Sequence, residues 1–168
     1  RFVSSHEVGH TLGLRHNMGA SHATPVEKLR DKKWVEEHGH TASIMDYARF
    51  NYVAQPEDHI SERGLFPRIN DYDKWAIRWG YQYRPEFKDE IAEKEGLLTE
   101  TSKVLATNPR LWFGGEGKNE DPRAQTEDLG DDNVKASEYG IKNLKRIIVA
   151  LPTWTHQTND RYEDRIEM

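Results

Sequence analysis

The chain has 168 residues, of which 24 are basic and 29 acidic, so its formal net charge is -5, and only 35% of its residues are hydrophobic. The basic residues are mixed with acidic ones and form no basic stripe, so nucleic acid is not an expected partner. No segment approaches the roughly 18 consecutive apolar residues of a membrane span, and the absence of cysteine excludes disulfides and thiolate ligands.

Five segments have the apolar periodicity of α-helices. They span residues 1–13, 25–38, 70–80, 86–106 and 134–151. Gly13, Gly39 and Pro152 stand at the predicted ends, where residues of these types stop a helix. The fold is therefore predicted to be mainly α with little strand. A short strand is expected at 110–113, and a short charged helix follows near the C terminus.

Capping residues and apolar stripes support these helices. Thr24 and Glu27 have the spacing of a capping box for the second helix. Asn70 or Asp71 caps the third helix, whose aromatic stripe is predicted to be buried. That stripe consists of Tyr72, Trp75, Ala76 and Trp79. The last helix carries a stripe made of Val134, Ser137, Ile141, Leu144, Ile148 and Leu151.

The first helix contains the sequence HEVGHTLGLRH, with histidines at fixed intervals. His6 and His10 lie four residues apart and therefore share one face of the helix. Gly13 ends the helix and lets His16 fold back as a third nitrogen ligand. Three neutral imidazoles leave a fourth tetrahedral position open, as in catalytic zinc sites. Glu7 lies beside that position, so the spacing predicts Zn²⁺ and hydrolysis of a peptide bond with Glu7 as general base.

A second motif, SIMDY, places Met45 29 residues after His16. Together with the match to HExxHxxGxxH, it resembles the metzincin metallopeptidases, in which a methionine-containing Met-turn lies beneath the metal. The Ser-x-Met-x-Tyr pattern is most similar to the astacin and serralysin branches. The resemblance implies that Met45 supports the histidines and that Tyr47 approaches the zinc and stabilises the oxyanion.

Longer segments extend this resemblance. The stretches HEVGHTLGLRHN, SIMDYARFNYVAQPED and NDYDKWAIRWGY are similar to a poorly characterised family of large bacterial zinc-peptidase-like proteins. That resemblance implies an extracytoplasmic location in a Gram-negative bacterium: the periplasm, the cell surface or the medium. We expect two parts, a metzincin-like zinc-binding subdomain at 1–83 and a mainly helical extension at 84–168.

One departure from the metzincin pattern concerns the start of the chain. Metzincins place a twisted β-sheet before the zinc helix, and an edge strand of that sheet binds the substrate. Only five residues precede His6, so we expect this chain to be the C-terminal part of a longer catalytic domain, weakly active or inactive alone. Its expected partners are a peptide or protein substrate and the N-terminal part of its own protein.

Several alternatives stay open. A former peptidase could serve as a binding module in which zinc is structural or absent, although Glu7 has no purpose there. A helical interaction fragment without metal is a further reading. His38 and His40 could form a second metal site, but a solvated helix end is expected instead. The acidic segment 127–132 suits Ca²⁺ chemically without matching the EF-hand spacing; it is expected to cap the last helix, and it could reach back toward the zinc cleft.

Overall fold

The computed structural model describes residues 2–115 and 121–156. Its α-helices are α1 Phe2–Thr11, α2 Lys32–His38, α3 Glu62–Leu65, α4 Asp71–Tyr81, α5 Glu90–Thr107 and α6 Asn133–Trp154. Its 3₁₀ turns are Val26–Leu29, Pro56–Asp58 and Pro109–Leu111. The described residues contain no strand, which confirms the mainly α fold. None of their helices is long and apolar enough to cross a bilayer, and the charged helix expected near the C terminus lies outside them.

Local chemistry explains several helix ends. Gly13, after α1, has a φ of 82°, a left-handed conformation that glycine adopts without steric cost. Asp132 caps α6 by accepting a hydrogen bond from the Lys135 N–H at 3.0 Å. The helix continues two residues beyond the predicted stop at Pro152, because a proline in the last turn removes only one backbone donor.

The second predicted helix is wrong in its first half. Val26–Leu29 is a 3₁₀ turn that begins without a side-chain cap, so the expected Thr24–Glu27 capping box does not form. The Val26 N–H donates instead to Asp131 Oδ1 at 2.8 Å. Asp31 then starts α2 by accepting from the backbone of the next turn. A carboxylate distant in sequence thus takes the donor that a local cap would have used.

The prediction of a short strand at 110–113 is also wrong, because Pro109–Leu111 forms a 3₁₀ turn. Asn108 accepts a hydrogen bond from the Arg110 N–H at 3.1 Å and starts the 3₁₀ turn, as expected where a proline follows an asparagine. Arg110 then donates to Asp71 Oδ2 at 2.9 Å and to the His38 carbonyl at 2.8 Å. This turn therefore fastens the end of α2 to the start of α4.

The main hydrophobic core joins residues from both sides of the predicted boundary at 83/84. Its buried members are Val26, Leu29, Ala48, Val53, Leu129 and Ala136, with Tyr52 and Tyr139 packed against them. Leu129 and Ala136 come from the predicted extension, and neither is accessible to solvent. The division into two parts stays a prediction, but these segments bury one common set of side chains.

The aromatic stripe of α4 is only partly buried. Tyr72 packs with Ala20 and Ala42 in a second core cluster, and Trp75 lies against it. Trp79, at the far end of the stripe, remains 42% exposed, which corrects the expectation that the whole stripe is buried. It lines an open apolar groove between α4 and α5.

Helix α6 faces the core with small and polar residues. Ala136 is fully buried, and Asn143 Nδ2 donates to the carbonyls of Tyr52 and Ala54 at 2.9 and 2.8 Å. The apolar stripe read from the sequence points the other way, because Val134, Ile141, Leu144 and Ile148 are all exposed. The stripe identified a helix correctly but does not mark its buried face.

We expect Leu129→Ala to lower the free energy of unfolding by about 3 kcal/mol, because it opens a cavity in a fully buried cluster. Val134→Ala is the matched control on the same part of the chain. Its side chain is 74% exposed, so it should change the free energy by less than about 0.5 kcal/mol. Urea unfolding measures both. Equal effects would contradict the shared core.

Candidate metal centre

The three histidines of the zinc motif lie together. His6 and His10 project from α1, and His16 follows the turn at Gly13. Nε2 of His10 and Nε2 of His16 are 3.1 Å apart, and one ligand atom from each histidine lies within 4.8 Å of the others. A tetrahedral zinc with Zn–N bonds of 2.0–2.1 Å separates its nitrogens by about 3.4 Å. The triad therefore fits a single metal ion.

Backbone carbonyls orient two of these rings. His6 Nδ1 donates to the Ile44 carbonyl at 2.8 Å, and His10 Nδ1 donates to the Leu14 carbonyl at 2.9 Å. A carbonyl can only accept, so the proton of each neutral ring lies on Nδ1. The Nε2 lone pairs are left for a metal, which is the arrangement that metal-binding histidines normally show.

Asn17 fixes the segment that carries the third histidine. It is fully buried, and its N–H donates to the Met45 carbonyl at 3.1 Å. Its side chain accepts from the Gly114 N–H at 2.8 Å and donates to the Trp112 carbonyl at 2.9 Å. Sequence reasoning missed Asn17, because its partners lie far along the chain.

Asp73 of α4 holds the Met-turn in place. Its carboxylate accepts from the Ile44 N–H at 2.8 Å, from Ser43 Oγ at 2.6 Å and from the Asn70 N–H at 2.8 Å. Burial raises the pKa of Asp73, while these bonds oppose that rise. Asp73 is the third residue of α4, a position at which a carboxylate is expected to cap the helix. Nothing in the sequence indicated that it also binds the Met-turn.

Met45 lies directly beneath α1. It is fully buried, and a Cβ added to Gly9 would overlap its sulfur. The HEVGH motif therefore needs glycine at position 9 because the thioether approaches the helix backbone closely. Met45 thus packs against α1 at Gly9, between His6 and His10 in sequence, and its support of the histidines stays a prediction.

Tyr47 lies beside the triad. Its ring centroid is 4.6 Å from that of His16 and 5.5 Å from that of His6. The Arg49 guanidinium lies 5.9 Å from the centre of the tyrosine ring and pairs with Glu127 at 2.7 Å. Arg49 and Glu127 both have positive φ, 55° and 68°, a strained conformation that clusters at functional sites.

The remaining candidates are placed as follows. Glu7 is exposed on α1, next to the buried His6. The His38 ring packs at a tilt against Trp34, with 4.7 Å between the ring centroids, and belongs to no group of possible metal ligands within the described residues. His40 is fully buried, which corrects the expected solvated helix end. Burial lowers the pKa of His40 to about 3, so the ring is neutral. Within the described residues, only the triad groups three or more possible metal ligands.

We expect Gly9→Ala to weaken zinc binding by about tenfold or more, because the added methyl displaces Met45 from beneath the histidines. It should also lower the free energy of unfolding by about 1–3 kcal/mol. Gly80→Ala is the matched control, since that helical glycine has open space around it and alanine favours a helix by about 1 kcal/mol. Competition with a chelating dye measures the zinc affinity. An unchanged affinity in Gly9→Ala would contradict the packing role of Met45.

Comparison with known proteins agrees with this arrangement. No curated protein and no solved structure matches the chain. The model of the Met-zincin family matches residues 1–168, so it spans the triad, the Met-turn and the helical extension. The match implies a metallopeptidase-like fold that binds a metal ion. It also confirms the family resemblance that the zinc motif and the Met-turn indicated. The chain belongs to the Met-zincin family.

Proposed function

We propose that this chain carries the catalytic centre of a zinc-dependent endopeptidase. The convergence of the three imidazoles supports the proposal most strongly, because two of them are already oriented by carbonyls with Nε2 left for a metal. Such oriented nitrogen donors suit Zn²⁺. His6, His10 and His16 would hold the ion, and Glu7 supplies the carboxylate that hydrolysis requires.

The proposed reaction needs a base, an acid and an oxyanion donor. Bound Zn²⁺ supplies a Lewis acid that polarises the scissile carbonyl and makes water nucleophilic near neutral pH. Glu7 accepts the proton of the attacking water while the new C–O bond forms. It then delivers that proton to the leaving nitrogen as the C–N bond breaks. The Tyr47 hydroxyl donates a hydrogen bond to the oxyanion that forms on the carbonyl.

We propose a peptide or protein substrate, and a large cavity lies between α1 and the residues that lead into α4. Its volume is about 1190 Å³, and Phe2, Ser5 and Ile44 line the side next to His6. Ile44 is the residue whose carbonyl accepts from His6 Nδ1, so the cavity lies near the side of this ring that does not face the metal, and none of its lining residues belongs to the triad. The opposite wall comes from the segment between α3 and α4.

Two further proposals concern the context of the site. Val8 on α1 and Leu12 just after it are exposed, which supports packing of another part of the whole protein, such as the N-terminal sheet of metzincins, against this side of the helix. The extracytoplasmic location in a Gram-negative bacterium is proposed from the family resemblance alone.

We expect Glu7→Gln in the whole protein to reduce peptide hydrolysis by about 10²–10⁴-fold without changing the zinc content. Glutamine keeps the size of the side chain but cannot take a proton. Glu138→Gln, an exposed substitution on α6, is the control and should leave the rate unchanged. Hydrolysis of a quenched fluorescent peptide and elemental analysis are the measurements. Equal rates would favour the binding module, with zinc structural.

We expect Tyr47→Phe to reduce kcat by about 10–10³-fold with little change in KM, since the hydroxyl acts on charge that exists only in the transition state. The ring that packs beside His16 is retained, so zinc affinity should be preserved. Tyr83→Phe removes the hydroxyl of a tyrosine that is 85% exposed and serves as the control. A kcat equal to that of the unmodified protein would assign Tyr47 a packing role only.

A further inference from the structure

A buried carboxylate lies directly behind the Met-turn. Asp46, between Met45 and Tyr47, is only 4% exposed. Its Oδ2 accepts from the Ser21 N–H at 2.7 Å and from Thr41 Oγ1 at 3.0 Å. Its Oδ1 is buried and has no hydrogen-bond partner within the described residues. Leaving a charged oxygen in this state is costly unless another group satisfies it.

A second carboxylate reaches the same place from the acidic segment 127–132. Ser21, whose N–H binds Asp46, also donates through Oγ to Asp128 Oδ1 at 3.4 Å. Asp128 Oδ2 accepts from Asn133 at 3.2 Å, and both of these bonds are long. Burial raises the pKa of Asp128 to about 6, and the charge of Asp128 adds to the rise in the pKa of Asp46.

Within the described residues, no cation balances this pair. Among residues 2–115 and 121–156, no Lys, Arg or His forms an ion pair with either carboxylate. The other acidic residues of the segment are engaged elsewhere. Glu127 binds Arg49, Asp131 binds the Val26 N–H, and Asp132 caps α6. Asp128 is the member of the segment that shares Ser21 with Asp46.

We propose that Asp46, Asp128 and the Ser21 hydroxyl form a second cation site, selective for Ca²⁺. The donors are hard oxygens, which Ca²⁺ prefers and which differ from the nitrogens of the triad. The unpartnered Asp46 Oδ1 supplies a ligand that nothing else in the described structure uses. Asp128 is partly exposed, so water can complete the coordination and the ion has an entry path.

The proposed ion has a structural consequence for the histidine site. It would link the segment after α5 to the Met-turn at the residue between Met45 and Tyr47. Met45 packs against α1, and the Tyr47 ring lies beside two of the histidines. The proposal stands on oxygen donors that the triad does not use. It therefore holds or fails independently of the endopeptidase activity.

Titration of the zinc-loaded chain with CaCl₂ tests the site, at a mildly alkaline pH where carboxylates ionise. We expect one equivalent to bind with a dissociation constant below about 1 mM and excess CaCl₂ to raise Tm by about 5 °C. Asp128→Asn should weaken binding by about tenfold or more and remove the Tm rise, and Asp46→Asn should do the same. Asp132→Asn, which removes one charge from the same segment and keeps a good helix cap, should behave like the unmodified chain.

The proposal is overturned if calorimetry shows no binding at millimolar CaCl₂, or if Asp128→Asn binds as tightly as Asp132→Asn. If the unmodified chain does not bind Ca²⁺ and Asp46→Asn raises its Tm, a proton rather than a cation neutralises the pair. The titration of the unmodified chain decides the matter even if Asp46→Asn fails to fold.

Discussion

The backbone of Ile44 connects the elements that build the metal centre. Its N–H donates to Asp73 at the start of α4, and its carbonyl accepts from His6 on α1, each at 2.8 Å. A shift of the Ile44 backbone would therefore turn the first histidine ring and loosen the Met-turn together. Since Asp73 is buried, its bonds are not weakened by competing water, and they hold the turn at a fixed distance from the helix.

The segment after α5 contributes to the same construction. Leu129 and Ala136 complete the core beneath the Met-turn, and Glu127 holds Arg49 beside the Tyr47 ring. The Gly114 N–H binds Asn17, the residue after His16. Each histidine-bearing or Met-turn segment is thus supported by residues that come from much later in the chain, which accords with a family match over the whole length.

Polar groups rather than large apolar layers specify this arrangement. The fully buried side chains include Asn17, Asn51, Ser43 and His40 as well as leucine and valine. Asn51 Nδ2, for example, donates to the Leu29 carbonyl at 2.8 Å. Such bonds hold the largely irregular backbone between α2 and α4, where α3 and one 3₁₀ turn are short and the remaining donors and acceptors must still be satisfied. The chain has only 35% hydrophobic residues, and its described part is stabilised this way without strands.

By itself the sequence determined most of α1, α4, α5 and α6, the stop at Gly13 and the residues of the zinc motif, because all of these depend on neighbours within one or two turns. Only the tertiary structure decided that Asp73 binds the Met-turn, that Asp131 replaces the cap expected from Thr24, and that α6 turns its small and polar face inward. Those outcomes depend on which distant groups compete for one donor or one surface. The local periodicity of the sequence does not depend on these distant groups and therefore cannot predict the outcome.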